Sequence, residues 1–93
     1  MTEAHLWLVG LRRKFASRLR EERAAFQLLV AAPYGEARDA MIERAHKLAG
    51  IAGMLGAAEV GEAAVRLEEA LLAGQDHRAA LAALDVAIAR FID

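Results

Sequence analysis

Cysteine is absent from this chain. That excludes disulfides, thiolate metal sites and a thiol nucleophile, and it suits a reducing compartment, so a cytoplasmic location is expected. Long apolar runs are absent too. None approaches the roughly 20 residues that a membrane-spanning helix needs. The stretch Leu6 to Leu11 is apolar, but it is short, follows Glu3 and has no basic flank, so it does not read as a signal peptide. An excess of one charge is also missing. Twelve basic residues face 13 acidic ones, for a net charge of −1, which argues against a nucleic-acid partner. No Gly-rich phosphate loop and no GxxxxGK[ST] motif is present, so self-phosphorylation from ATP is not expected. Proline occurs once, at Pro33, and β-branched residues are few.

What remains is a chain rich in Ala, Leu, Arg and Glu, and that composition is all-helical. Ninety-three residues suffice for one domain without staples, so residues 1–93 read as a single unit. Thr2 is a candidate N-cap, with Glu3 well placed in the first turn. Gly10 is expected to separate a short N-terminal helical segment from a long first helix. That helix carries Leu8, Leu11, Phe15, Leu19, Phe26 and Leu29 at helical spacings, interrupted by Glu22. The basic residues between them read as a solvated face, and Trp7 as a packing residue at one end.

Pro33 stops the first helix, because the residue before a proline is biased out of the α region. A second helix is expected from about residue 36 to 55, ended by Gly56 as a C′ glycine. A third runs from about 58 to 73 with the stripe Val60, Ala64, Leu67 and Leu71, and Gly74 closes it. Asp76 caps a fourth, which carries Leu81, Leu84, Ile88 and Phe91. Short connections between amphipathic helices predict an antiparallel four-helix bundle. His5 and His77 read as exposed and structural.

The second helix holds the candidate chemistry. Each residue of a helix turns about 100°. With His46 at zero, Met41, Ala45, Leu48, Ala52 and Leu55 fall between roughly 180° and 260°, the buried side. Gly50, Gly53 and Asp39 fall within about 40° of His46. The imidazole therefore points to solvent in a patch with little side-chain bulk. Each glycine costs roughly 1 kcal/mol relative to alanine inside a helix. Close approach of another backbone would compensate for that cost. In a hairpin turning near Gly56, residue 46 lies opposite about residue 67, so Arg66, Glu68 and Glu69 can border the patch.

The run Ala45-His46-Lys47-Leu48-Ala49-Gly50, followed by Leu55-Gly56 and Leu67-Glu68, resembles the histidine-containing phosphotransfer (HPt) domain of bacterial phosphorelays. That family has a His-x-Leu-Lys-Gly motif, a glycine near the end of the same helix and a Leu-Glu pair on the next. His46, Leu48, Gly50, Gly56, Leu67 and Glu68 match, whereas Ala49 stands where the family has lysine. The resemblance implies that His46 is the phospho-acceptor. It implies a covalent phosphoryl carrier without kinase activity, serving response-regulator receiver domains or a hybrid histidine kinase. The receiver would bring the aspartate and Mg²⁺, so this chain needs no cofactor of its own. Ile42, Glu43, Lys47, Ala49, Gly50, Gly53 and Glu68 are the expected partner-binding residues, and a monomer is expected. Ile42 can equally pack on a neighbouring helix, and Lys47 can lend charge to the phosphoryl group or simply be solvated.

Two other readings compete. Glu43-x-x-His46 has the spacing of a di-iron carboxylate bundle, but such a site needs two such motifs facing inward, and His46 faces out. No metal site is therefore expected. The alternative to phosphate transfer is a helical adaptor that binds a receiver or kinase partner without taking up phosphate.

Overall fold

The computed structural model describes residues 3–92. They form four helices and no strand: α1 (Glu3–Ala31), α2 (Tyr34–Met54), α3 (Ala58–Leu72) and α4 (Arg78–Ile92). Each helix packs on its neighbours in chain order, and α1 closes the ring against α4. Cross-helix pairs show that neighbours run antiparallel. Arg12 reaches the end of α2 at the Leu55 carbonyl, 3.3 Å away, whereas Glu22 meets Arg44 further along. Thr2, the candidate cap, lies outside the described residues.

The expected stripes form the core. Phe15, Leu19 and Phe26 of α1, Met41, Ala45, Leu48 and Ala52 of α2, and all four stripe residues of α3 are buried. Leu84 and Ile88 complete it from α4, with Leu81 and Phe91 packed at its edge. Both glycine stops close their helices in the left-handed conformation. Gly56 has φ +71° and Gly74 φ +68°. In each case the following residue donates its N–H five residues back, Ala57 to Ala52 at 2.9 Å and Gln75 to Ala70 at 3.0 Å. This is the Schellman arrangement. Asp76 accepts the Arg78 backbone N–H at 3.0 Å at the start of α4.

The first helix departs from expectation. Gly10 does not break it, and there is no separate N-terminal segment: α1 runs unbroken for 29 residues, roughly 43 Å at 1.5 Å per residue. One glycine costs only about 1 kcal/mol, too little to interrupt a long helix. Arg12 lies level with the ends of α2 and α4, beside Leu55 and 4.6 Å from the Phe91 ring centroid. The residues before it overhang the bundle. Trp7 is therefore not a packing residue but is 68% exposed, and Leu8 is also exposed. The basic residues are not all solvated either. Arg12 covers Phe91, and Arg23 makes a two-pronged pair with Asp85 at 2.7 and 3.1 Å. Glu22, the interruption in the stripe, is only 7% exposed. Its carboxylate accepts from Arg44 at 2.9 Å and lies 4.0 Å from Arg18, so the buried charge is paired across α1 and α2.

Helix α2 starts at Tyr34, two residues earlier than expected, because the Pro33 carbonyl accepts the N–H groups of Glu36 and Ala37 at 3.1 and 3.0 Å. A residue before the first turn needs no N–H of its own, so proline fits there.

Candidate functional site

The site is built on the α2–α3 hairpin. Ala45 and Leu48 are buried on either side of His46 in sequence and fix the rotation of α2. They aim the imidazole outward, where its side chain is 74% exposed. Across the hairpin, Leu67 is fully buried and fixes α3 in the same way. Its neighbour Glu68 meets the histidine. His46 Nδ1 and Glu68 Oε2 lie 2.8 Å apart. A proton must sit between them, so the neutral ring is assigned the tautomer with hydrogen on Nδ1. The Nε2 lone pair is then free on the solvent side.

The surroundings of this pair are bare. Gly50 and Gly53 are exposed, and a Cβ on either would meet nothing within 4 Å. Nothing inside the molecule requires glycine there. Glu43 and Lys47 engage each other at 2.8 Å, one helical turn apart. The Lys47 ammonium, through its hydrogen bond and its charge, holds the Glu43 carboxyl below its ordinary value. Lys47 is thus occupied on the flank of the patch. Ile42 is half-buried and packs against the core. Ala49 is likewise half-buried against the core.

Beside the histidine lies a shallow groove of about 450 Å³ between α2 and α3, lined by Ala49, Gly53, Gly61, Val65, Arg66 and Glu69 among others. Here α2 and α3 approach closely. A Cβ on Gly61 would lie 3.5 Å from the Ala52 Cβ and 3.8 Å from the Ala49 carbonyl oxygen. Ala49 keeps the near wall of the groove low. Arg66 stands on its far side and makes no ion pair among the described residues. Sequence reasoning named Arg66 only as a neighbour and missed Gly61 and Val65. A lone glycine in the middle of a predicted helix was the available signal for the first.

The remaining histidines lie apart from this patch. His77 is half-buried and stacks on Tyr34, with centroids 5.5 Å apart and planes 9° from parallel. It ties the start of α4 to the start of α2. His5 is exposed on the overhang of α1.

Among the described residues, no helix is long and apolar enough to cross a membrane. A family model described as Hpt domain matches residues 10–93. No curated protein and no solved structure matches the chain.

Proposed function

The chain belongs to the Hpt domain family, phosphocarrier modules of two-component signalling, and on that premise we propose that His46 accepts a phosphoryl group from the aspartyl phosphate of a receiver domain and returns it to another. The observation that carries this is the His46–Glu68 pair at 2.8 Å on an otherwise bare, solvent-facing patch. In the forward step the Nε2 lone pair attacks phosphorus as the bond to the aspartyl oxygen breaks. The aspartate leaves as a carboxylate, and the ring becomes a phosphorylated imidazolium that keeps its Nδ1 proton. Glu68, whose carboxylate lies 2.8 Å from that nitrogen, stabilises the new positive charge. The reverse step restores the neutral ring. The helix supplies only position and orientation, which suits a reaction dominated by alignment and electrostatics.

Receiver domains or a hybrid kinase carrying one are the partners this reading requires. Mg²⁺ belongs to the receiver, and no cofactor is assigned to this chain. Gly50 and Gly53 leave room for the receiver's backbone, and the groove from Ala49 to Val65 offers it an apolar footing. Because Lys47 is paired with Glu43, Arg66, across the groove from Ala49, is the cation we assign to the role that lysine has in the motif. The missing lysine at Ala49 also favours the adaptor reading, in which a receiver binds and no phosphate moves.

One experiment separates the two. The protein is mixed with a panel of phosphorylated, Mg²⁺-loaded receivers, and its intact mass is followed. The carrier gains one phosphoryl group, labile to acid and stable to base, and His46→Gln gains none. Binding of a receiver with no mass gain in the wild type would sink the carrier and leave the adaptor.

A further inference from the structure

The outer face of α1 carries a second pattern that phosphate transfer does not use. Gly10, Ser17, Ala24 and Ala31 recur at every seventh residue, and all four are exposed. Trp7, Lys14, Glu21 and Leu28 interleave with them at the same period, and these are exposed as well. The two series together alternate in steps of three and four, the spacing of a coiled-coil seam. Within this chain the stripe faces solvent. Trp7 and Leu28, at 68% and 75% exposure, are among the most exposed large apolar side chains of the described residues. Gly10 has no internal justification, since a Cβ there would meet nothing within 4 Å. Lys14 and Glu21 make no ion pair among the described residues.

The stripe is complementary to its own reverse. Laid antiparallel on itself, with the two-fold axis between Ser17 and Arg18, it sets Trp7 level with Leu28 of the copy and Lys14 level with Glu21 of the copy. Gly10 then meets Ala24 and Ser17 meets itself, each within one residue of the same height. Large apolar pairs close both ends, and opposite charges pair inside them. Small residues between let the backbones approach, and the two Ser17 hydroxyls, each both donor and acceptor, can bond to one another at the axis. A parallel pairing would instead set Lys14 on Lys14 and Glu21 on Glu21, which like-charge repulsion disfavours. We infer that this chain forms an antiparallel homodimer through the outer face of α1, its partner being a second copy of itself. This departs from the monomer expected from the sequence. Arg13 and Arg20 flank the seam, and Arg13 of one copy faces Arg20 of the other. That repulsion weakens the pair. The seam points away from the core on α1, whereas His46 lies on the α2–α3 hairpin, so the dimer presents two phospho-acceptor sites at once.

Trp7 is the only tryptophan, which makes the test direct. A dilution series is followed by light scattering and by tryptophan emission. The expected result is a mass rising from 10.0 kDa towards twice that value, with emission moving to shorter wavelength in step. Ser17→Arg, at an exposed position that leaves the fold intact by circular dichroism, stays monomeric throughout. Lys14→Glu weakens association at least tenfold, and the exchange Lys14→Glu with Glu21→Lys restores it. A mass of 10.0 kDa with solvent-like emission at every concentration overturns the inference. So does a dimer that survives Ser17→Arg, or an exchange variant no better than the single one.

Discussion

The α2–α3 hairpin and helix α1 use small residues to opposite effect. In the hairpin, Ala45, Ala52 and Ala64 are fully buried, and Gly61 brings α3 to within 3.5 Å, measured from its ideal Cβ to the Ala52 Cβ. Small size there is spent on close packing inside one chain, and the product is a stiff platform on which His46 and Glu68 meet. On α1 the glycine, the serine and the two alanines of the outer stripe are exposed. The helix is held instead by Phe15, Leu19 and Phe26 and by ion pairs to Asp85 and Arg44. A few large anchors fix a helix in place while leaving one side of it free for a second partner. The contrast teaches that a small residue carries no fixed meaning. What matters is whether another backbone comes to meet it.

Truncating one apolar residue in each region should test this most sharply. Leu67 is fully buried between the hairpin and the core, so Leu67→Ala should cost about 2–5 kcal/mol in denaturant unfolding. It should also loosen the neighbouring Glu68 and slow phosphate uptake. Leu28→Ala on α1, measured dilute enough to be monomeric, should change stability by less than about 0.5 kcal/mol. Equal costs would mean that α1 is as deeply integrated as the hairpin, and the comparison would fail.

The glycines give the next largest effect. At Gly61 a bare Cβ meets only ordinary contacts, so Gly61→Ala should be tolerated. Gly61→Val places further methyl groups against Ala52 and the Ala49 carbonyl and should destabilise by about 1–3 kcal/mol. Gly50 is open, so Gly50→Ala should stabilise by up to about 1 kcal/mol through helix propensity alone, while slowing transfer from a receiver that needs the space. Thermal melts paired with uptake rates would decide it. A Gly50→Ala protein that is more stable and equally fast would remove the glycine from the docking surface.

These contrasts also explain which parts were legible beforehand. The stripes of α3 and α4 and the outward aim of His46 followed from periodicity, because a helix with one apolar side has one way to bury it. The level of Glu68 opposite His46 followed from the hairpin's equal rise on both arms. Glu22 was visible only as an interruption, since its partner Arg44 lies 22 residues away. Trp7 was misread because helix length, not residue type, decides whether a side chain lies over the bundle or beyond its end. Gly61 was missed because its use depends on a neighbouring helix that no local pattern names. The bounds of α2 shifted because a proline carbonyl can open a helix as well as its ring can close one.

The smallest effect lies at the far edge of the bundle, where Asp76 holds the start of α4. Its carboxylate accepts the Arg78 backbone N–H at 3.0 Å and the Arg78 side chain at 2.8–3.2 Å. The Arg78 side-chain hydrogen bonds, then the backbone one, hold its pKa well below the ordinary 3.8. A folded-state value below the unfolded one means that the carboxylate stabilises the fold above the unfolded value. That contribution is lost as pH falls through the folded value. Asp76→Asn keeps a cap acceptor but gives up the charge. Its melting temperature should therefore lie slightly below wild type at neutral pH, and the gap should close as pH is lowered below about 3.8. Added salt should narrow the gap at neutral pH, because this pair is exposed to solvent. Phosphate uptake at neutral pH should not change, since the hairpin carrying His46 does not depend on this cap. A variant whose gap is independent of pH would show that Asp76 acts as a hydrogen-bond acceptor alone. A variant that lost uptake as well would show the hairpin to be less self-sufficient than its packing implies.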